Sequence, residues 1–157
     1  MVLYLCQHGD ALAKDIDPDR PLSGRGTTDI RNTVNVLRGR VRVAAVVHSG
    51  KTRARQTAEL LHEGLAPRSV IRAEPGLGPS DSVEDFAAGL ASSGEGLLLV
   101  GHMPFVGRLA SLLLGNRERN ILSFQPGAVA ALRRDEDGAW MLEWMLTPAL
   151  VSEASLA

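Results

Sequence analysis

A lone cysteine, Cys6, leaves this 157-residue chain without the means to form an internal disulfide. It lies inside an apolar run, where a packed thiol is expected rather than a reactive one. An excess of charge is missing too. The net charge is −1 at pH 7. No general affinity for nucleic acid or a membrane surface is expected, and any anion site must be built locally. No stretch approaches the roughly 18 apolar residues of a membrane span. The first apolar run is too short for a signal-peptide core and has no basic residue before it. A cytoplasmic protein is the expectation. Internal repeats, low-complexity segments and internal linkers are absent. What remains is 45% hydrophobic and 22% charged, the composition of one domain with a real core.

That domain announces itself by alternation. Val2 to Cys6 reads as a buried strand, because it is short, uncharged and apolar, with a β-branched and an aromatic member. Gly9 lets the chain turn away and leaves His8 at the strand's carboxyl end. Asp10 to Gly26 is loop, with Asp17-Pro18, Arg20-Pro21 and two glycines. A helix is predicted from Gly26 to Arg38, with Ile30, Val34 and Leu37 at helical spacing and Gly39 as its stop. Val43 to Val47 is the second strand. Ser49 is expected to cap a helix from Gly50 to Leu65 whose inner face is Ala54, Ala58, Leu61 and Leu65. Ser69 to Ala73 follows as a strand, Pro75 to Ser80 as loop, and a helix capped by Asp81 or Ser82 runs to about Ala91. Leu97 to Val100 is apolar throughout and so central. A helix from Pro104 to about Leu114 comes next. Ala128 to Leu132 and Trp140 to Leu146 flank the turn signal Asp135–Gly138 and form a hairpin. Trp140 and Trp144 share one face of that last strand.

This order predicts an α/β fold. It is a single three-layer α/β/α domain over residues 1–147, with a mostly parallel sheet and a late antiparallel hairpin. Residues 148–157 form a loose C-terminal tail.

In a parallel sheet, His8 after strand one, Arg53 after strand two and His102 after strand four all reach the carboxyl edge, where open α/β sheets bind ligands. Two imidazoles, a guanidinium and nearby helix N-termini make an anion site, with phosphate its natural occupant. A neutral imidazole nitrogen is also a competent phosphorus nucleophile.

Five stretches carry a family likeness. They are Gln7-His8-Gly9-Asp10, then Arg20-Pro21-Leu22-Ser23 with Gly26, then Ser49 to Thr57, then Leu77 to Asp81, and last Val100-Gly101-His102-Met103-Pro104. In order and spacing they resemble the histidine phosphatase (phosphoglycerate mutase-like) superfamily, and most of all its small SixA-type members. The resemblance implies that His8 accepts the phosphoryl group and that Arg53 and His102 bind its oxygens. Water would then hydrolyse the phosphohistidine. Gln7, Gly9 and Arg20 complete the implied phosphate-binding set. No metal or other cofactor is implied, since the arginine and imidazole charges would do that work. The partner would be a phosphorylated protein carrying phosphohistidine, or a small phosphomonoester. Asp81 is the candidate general acid. Asp10 is a weaker alternative, with orienting His8 as its other role. The departure is Gln7, which stands where the family has arginine and can supply neither charge nor a bidentate fork. Arg20 is the candidate to replace that charge, followed by Arg25 and Lys51. A module that binds phosphate or phosphohistidine with weakened or no turnover is therefore the reading from another class.

Two decoys drop out. Gly50-Lys51-Thr52 sits where a Walker A motif would, but position 45 is alanine rather than the required glycine. The spacings of His8, His48, His62 and His102 match no zinc motif. His48 reads as a hydrogen-bonded structural histidine and His62 as exposed.

Overall fold

The alternating apolar runs become six strands of one sheet in the computed structural model, which describes residues 1–90, 93–115 and 119–154. The strands are β1 (Val2–Gln7), β2 (Ala45–His48), β3 (Val70–Ala73), β4 (Leu97–Gly101), β5 (Val129–Arg134) and β6 (Trp140–Leu146). Their order across the sheet is β3-β2-β4-β1-β5-β6. The first four run parallel, while β5 is antiparallel to β1 and β6 to β5. The fold is the α/β arrangement expected from the alternation. β4 is buried at every position because it pairs on both sides and helices cover both faces, which is why its sequence is uniformly apolar.

Two cores follow from the period of two along each strand. Leu3 and Leu5 face one side, where α3 (Val83–Gly89) and α4 (Phe105–Leu113) contribute Val83, Phe105, Val106 and Leu109. Tyr4 and Cys6 face the other, packed with Ile30 and Val34 of α1 (Gly24–Leu37) and Ala54, Ala58 and Leu61 of α2 (Thr52–Leu65). Leu3, Leu5 and Leu61 are fully buried, and cutting such a leucine to alanine costs about 2–5 kcal/mol. Burial also lifts the Cys6 thiol to about 12, so it is the inert packed thiol that was expected. Among the described residues, no helix is long and apolar enough to cross a membrane.

Several local expectations are corrected. Ser49 does not cap α2: the helix starts at Thr52, and Lys51 holds the capping position without a side-chain bond. Of the two caps expected for α3, Ser82 is the one used, accepting from the Asp85 N–H at 3.1 Å. The helix ends at Gly89, and Ala91, its predicted end, lies outside the described residues. Within the expected loose tail, Pro148–Ala154 forms α5, which packs on α1 and buries Val151, while residues 155–157 lie outside the described residues.

The two tryptophans do not share a face either. The β5–β6 register pairs Ala131 with Trp144 but Leu132 with Leu142, so Glu143 is an extra residue. A bulge of one residue reverses the inside–outside parity of everything before it. Trp144 therefore packs beside Tyr4, with ring centroids 6.0 Å apart, while Trp140 packs in the opposite core.

Candidate active site

His8 leaves β1 with its backbone clamped on both sides. Its N–H donates to Gly101 O at 3.0 Å, and its carbonyl accepts from Gly127 N–H at 3.0 Å. The next N–H, of Gly9, donates to Thr57 Oγ1 at 3.0 Å, and Thr57 Oγ1 in turn donates to Arg53 O at 2.7 Å. One buried threonine thus ties the His8 turn to the turn of α2 that carries Arg53.

The ring of His8 has a determined proton. Its Nδ1 lies 2.7 Å from Gly9 O, and a carbonyl can only accept, so Nδ1 bears the hydrogen. Its Nε2 lies 3.1 Å from Arg53 Nε, and a guanidinium can only donate, so Nε2 bears the lone pair. Burial, chiefly, holds the His8 pKa below the usual histidine value; the Gly9 carbonyl pulls the other way, while Arg53 and Arg20 add to the lowering.

His102 ends β4 and is 2% exposed. Its ring centroid is 5.0 Å from that of His8. Its Nε2 lies 2.5 Å from Ser49 Oγ, and its buried Nδ1 has no partner. Burial first, then His8, Arg53, Lys51 and Arg20, push its pKa down to about 3. In the free site His102 is neutral at pH 7 and offers a bond dipole, so the positive charge comes from Arg53, Arg20 and Lys51. Burial and the Arg20 charge also lower the Arg53 pKa, which marks the crowding of like charge there.

Arg20 reaches this group from the loop that the Ala11–Leu22 bridge closes. Its backbone sits in the left-handed region at φ 49°, an uncommon place for a non-glycine residue. Its Nε donates to Leu12 O at 3.1 Å. Gln56 of α2 holds the same loop by accepting from Leu22 N–H at 2.8 Å. Asp10 secures the loop's far end, since its carboxylate accepts from the Ser23 hydroxyl at 2.6 Å and its carbonyl from Ser23 N–H. A Cβ at Gly26 would run into the Asp10 carbonyl, so that glycine is required for the close approach of α1 to the His8 turn.

His8, Arg53, His102 and Arg20 are thus brought together, with Gly9 inside the His8 turn. Gln7 and Asp81 are engaged elsewhere. With its amide oriented to satisfy its neighbours, the nearly buried Gln7 side chain donates to Phe124 O at 3.2 Å and Gln125 O at 3.3 Å. Both of its N–H groups are therefore used on backbone, not offered to an anion. Asp81 is exposed, and its carboxylate accepts from Gly78 N–H at 2.6 Å. It lines a cleft between β3 and α3 with Arg72, Glu74 and Asp85. The histidines do not converge as a whole. His48 is structural, its Nδ1 accepting from Gly50 N–H at 3.1 Å. His62 is partly buried rather than exposed, and its Nε2 bonds Ser69 O at 3.0 Å. Among the described residues, no group of three or more His, Cys, Asp or Glu is placed to hold a metal ion.

Sequence reasoning missed Ser49 and Thr57 as site residues. The signal was available: Ser49, Arg53 and Thr57 are spaced by four, which places Arg53 and Thr57 on one face of a helix.

Comparison with known proteins agrees with the resemblance. Residues 3–78 match the model of the histidine phosphatase superfamily (branch 1). The chain is similar to the protein histidine phosphatase SixA in its tungstate complex, with 28% identity, TM-score 0.85, and 96% of this chain and 99% of that chain covered. It shares its fold with a SixA-type protein from Agrobacterium tumefaciens, at 22% identity and TM-score 0.74 over 94% of this chain and 97% of that one. It likewise shares the fold of the alpha-ribazole phosphatase from Shigella flexneri, at 19% identity and TM-score 0.78 over 94% and 97%. No curated protein matches by sequence.

Proposed function

We propose that this chain, which carries the histidine phosphatase superfamily signature over residues 3–78, is a phosphatase that works through phospho-His8 and takes phosphohistidine on proteins as substrate. The observation that carries the reading is the His8 tautomer, with Nδ1–H on the Gly9 carbonyl and the Nε2 lone pair facing the cationic group.

In the first step Nε2 attacks phosphorus, the bond from phosphorus to the donor imidazole breaks, and that imidazole takes a proton from solvent. The Gly9 carbonyl steadies the positive charge that His8 gains. Arg53, with Arg20 and Lys51 behind it, shifts to the phosphoryl oxygens as they gather charge. In the second step water attacks phospho-His8, the P–N bond breaks, and inorganic phosphate leaves with the Nε2 lone pair restored. The balance closes without a metal or cofactor. A leaving imidazole also needs less help from a general acid than an alkoxide, which suits a site where Asp81 is tied to Gly78. Likeness to a SixA structure that holds tungstate, a tetrahedral oxyanion, supports the anion site.

A second reading rests on Gln7. With its amide spent on the Phe124 and Gln125 carbonyls, the site has one charged donor fewer than the family pattern. It could then bind phosphohistidine and turn it over slowly or not at all.

The test is incubation with a phosphohistidine protein, p-nitrophenyl phosphate and a sugar phosphate, following phosphate release and label on the protein. The expected result is fastest release from the phosphohistidine protein, a transient phospho-His8, and loss of both in His8→Ala. Equal turnover by wild type and His8→Ala overturns the phosphatase reading. Tungstate binding without phospho-His8 selects the binding-module reading, and preference for a small ester replaces the substrate class.

A further inference from the structure

Ser49 has no part in capping α2, and its hydroxyl lies 2.5 Å from His102 Nε2. What that contact does depends on where the His102 proton sits, and the surroundings decide it. The ring is neutral, so one nitrogen carries hydrogen. Were it Nδ1, a buried N–H would face no acceptor, a defect that costs the full desolvation of a donor. Were it Nε2, that N–H donates to Ser49 Oγ, and only a lone pair on Nδ1 goes unmatched, which is the more tolerated omission. The second arrangement is favoured, and it depends on the serine. Without an oxygen at that place, neither ring nitrogen has a protein partner and the preference disappears.

We propose that Ser49 is a positioning residue for phosphoryl transfer, holding His102 as its Nε2–H tautomer with that hydrogen presented at the site. The proposal rests on the phospho-His8 reading and gives the second histidine its role there. When a phosphoryl oxygen arrives, it replaces or joins Ser49 Oγ as acceptor of a donor that is already aimed. The serine's own hydroxyl hydrogen, not needed by His102, can turn to another phosphoryl oxygen. His8 and His102 thus form complementary partners. Gly9 O fixes His8 with its lone pair outward, and Ser49 fixes His102 with its hydrogen outward.

The test compares wild type, Ser49→Ala and Ser49→Thr, each also in a His102→Gln background. Imidazole nitrogen shifts by NMR report the tautomer, and phospho-His8 formation reports the chemistry. His102 is expected to be Nε2–H in wild type and Ser49→Thr, and a mixture in Ser49→Ala. Ser49→Ala should slow phospho-His8 formation by about 10- to 100-fold, the size of effect seen when hydrogen-bond partners that orient metal-bound histidines are removed. Ser49→Thr should restore most of the rate, and in His102→Gln the serine should no longer matter. A wild-type Nδ1–H tautomer overturns the proposal, as does an equal loss from Ser49→Ala with and without His102. Should wild type form no phospho-His8, the phosphatase reading fails, and the NMR comparison alone then decides whether Ser49 sets the tautomer.

Discussion

Two groups of charged and polar side chains follow strands of the same parallel set, and they are built on opposite terms. In the cleft beside β3 and α3 most of the charged and polar groups already have a partner. Arg72 pairs with Glu74 at 2.9 Å, Asp81 holds Gly78 N–H, and Ser82 holds Asp85 N–H. At the ends of β1, β2 and β4 the terms are reversed. Among the described residues, Arg20, Lys51 and Arg53 have no carboxylate within salt-bridge distance. His8 Nε2 faces a cation, and the buried His102 Nδ1 has no hydrogen-bond partner. Charges that satisfy one another hold a fold together. Charges assembled without their complement define what is missing, here a compact anion. By composition the cleft, with its three carboxylates, is an equally good candidate for acid–base chemistry. The difference lies in which groups are already spoken for.

The strongest way to break this comparison is to remove the central cation. Arg53→Ala should lower kcat for phosphoryl transfer by on the order of 10² to 10³, measured by single-turnover formation of phospho-His8. A loss under tenfold would mean the crowding of charge has no catalytic use. Acid sharpens the contrast next. Burial holds both His8 and His102 below their unfolded value of about 6.5. Below that pH the unfolded chain therefore binds more protons than the native state. Stability should be complete above pH 6.5 and fall as pH drops toward 3, by up to about 1.4 kcal/mol per pH unit for His102. Urea midpoints at pH 7.5 and 5 measure it. Tungstate should recover part of the loss at pH 5, because an anion favours the protonated rings. A flat profile that tungstate leaves unchanged would contradict the neutral pair. The smallest effect belongs to the cleft. Asp81→Asn keeps an oxygen for Gly78 N–H, so activity should stay within about twofold and stability within about 0.5 kcal/mol. A large fall in kcat would restore Asp81 as a general acid and erase the distinction between the two groups.

The fold was legible because its signals are periodic. The uniform apolar run of β4 and the helical spacing of Ile30, Val34 and Leu37 each belong to one kind of element. The convergence of His8, Arg53 and His102 followed from topology alone, since parallel strands bring their carboxyl ends to one edge. The failures share a cause: a side chain whose local rule lost to a distant partner. Ser49 is a good helix cap by type, but its oxygen is used by His102, 53 residues away in sequence. Gln7 was placed among the phosphate ligands because it stands at the family motif's arginine position, yet its amide reaches the 124–125 backbone. The charge state of His102 was hidden because burial, unlike residue type, is not written at one position. The tail was misread because α5 is short and draws its support from α1 rather than from caps.

The extra residue at Glu143 has a consequence for how this strand tolerates change. Side-chain parity along a strand works like a reading frame, and the bulge is a frameshift built into it. Residues 140–142 are read in one frame and residues 144–146 in the other, which lets a single edge strand send one tryptophan into each core. A substitution at 143 alters a side chain. A deletion there moves three side chains to the wrong face at once. In an alignment with a relative whose last strand is regular, the gap belongs at this residue, and placing it elsewhere would pair tryptophans that never occupy the same core.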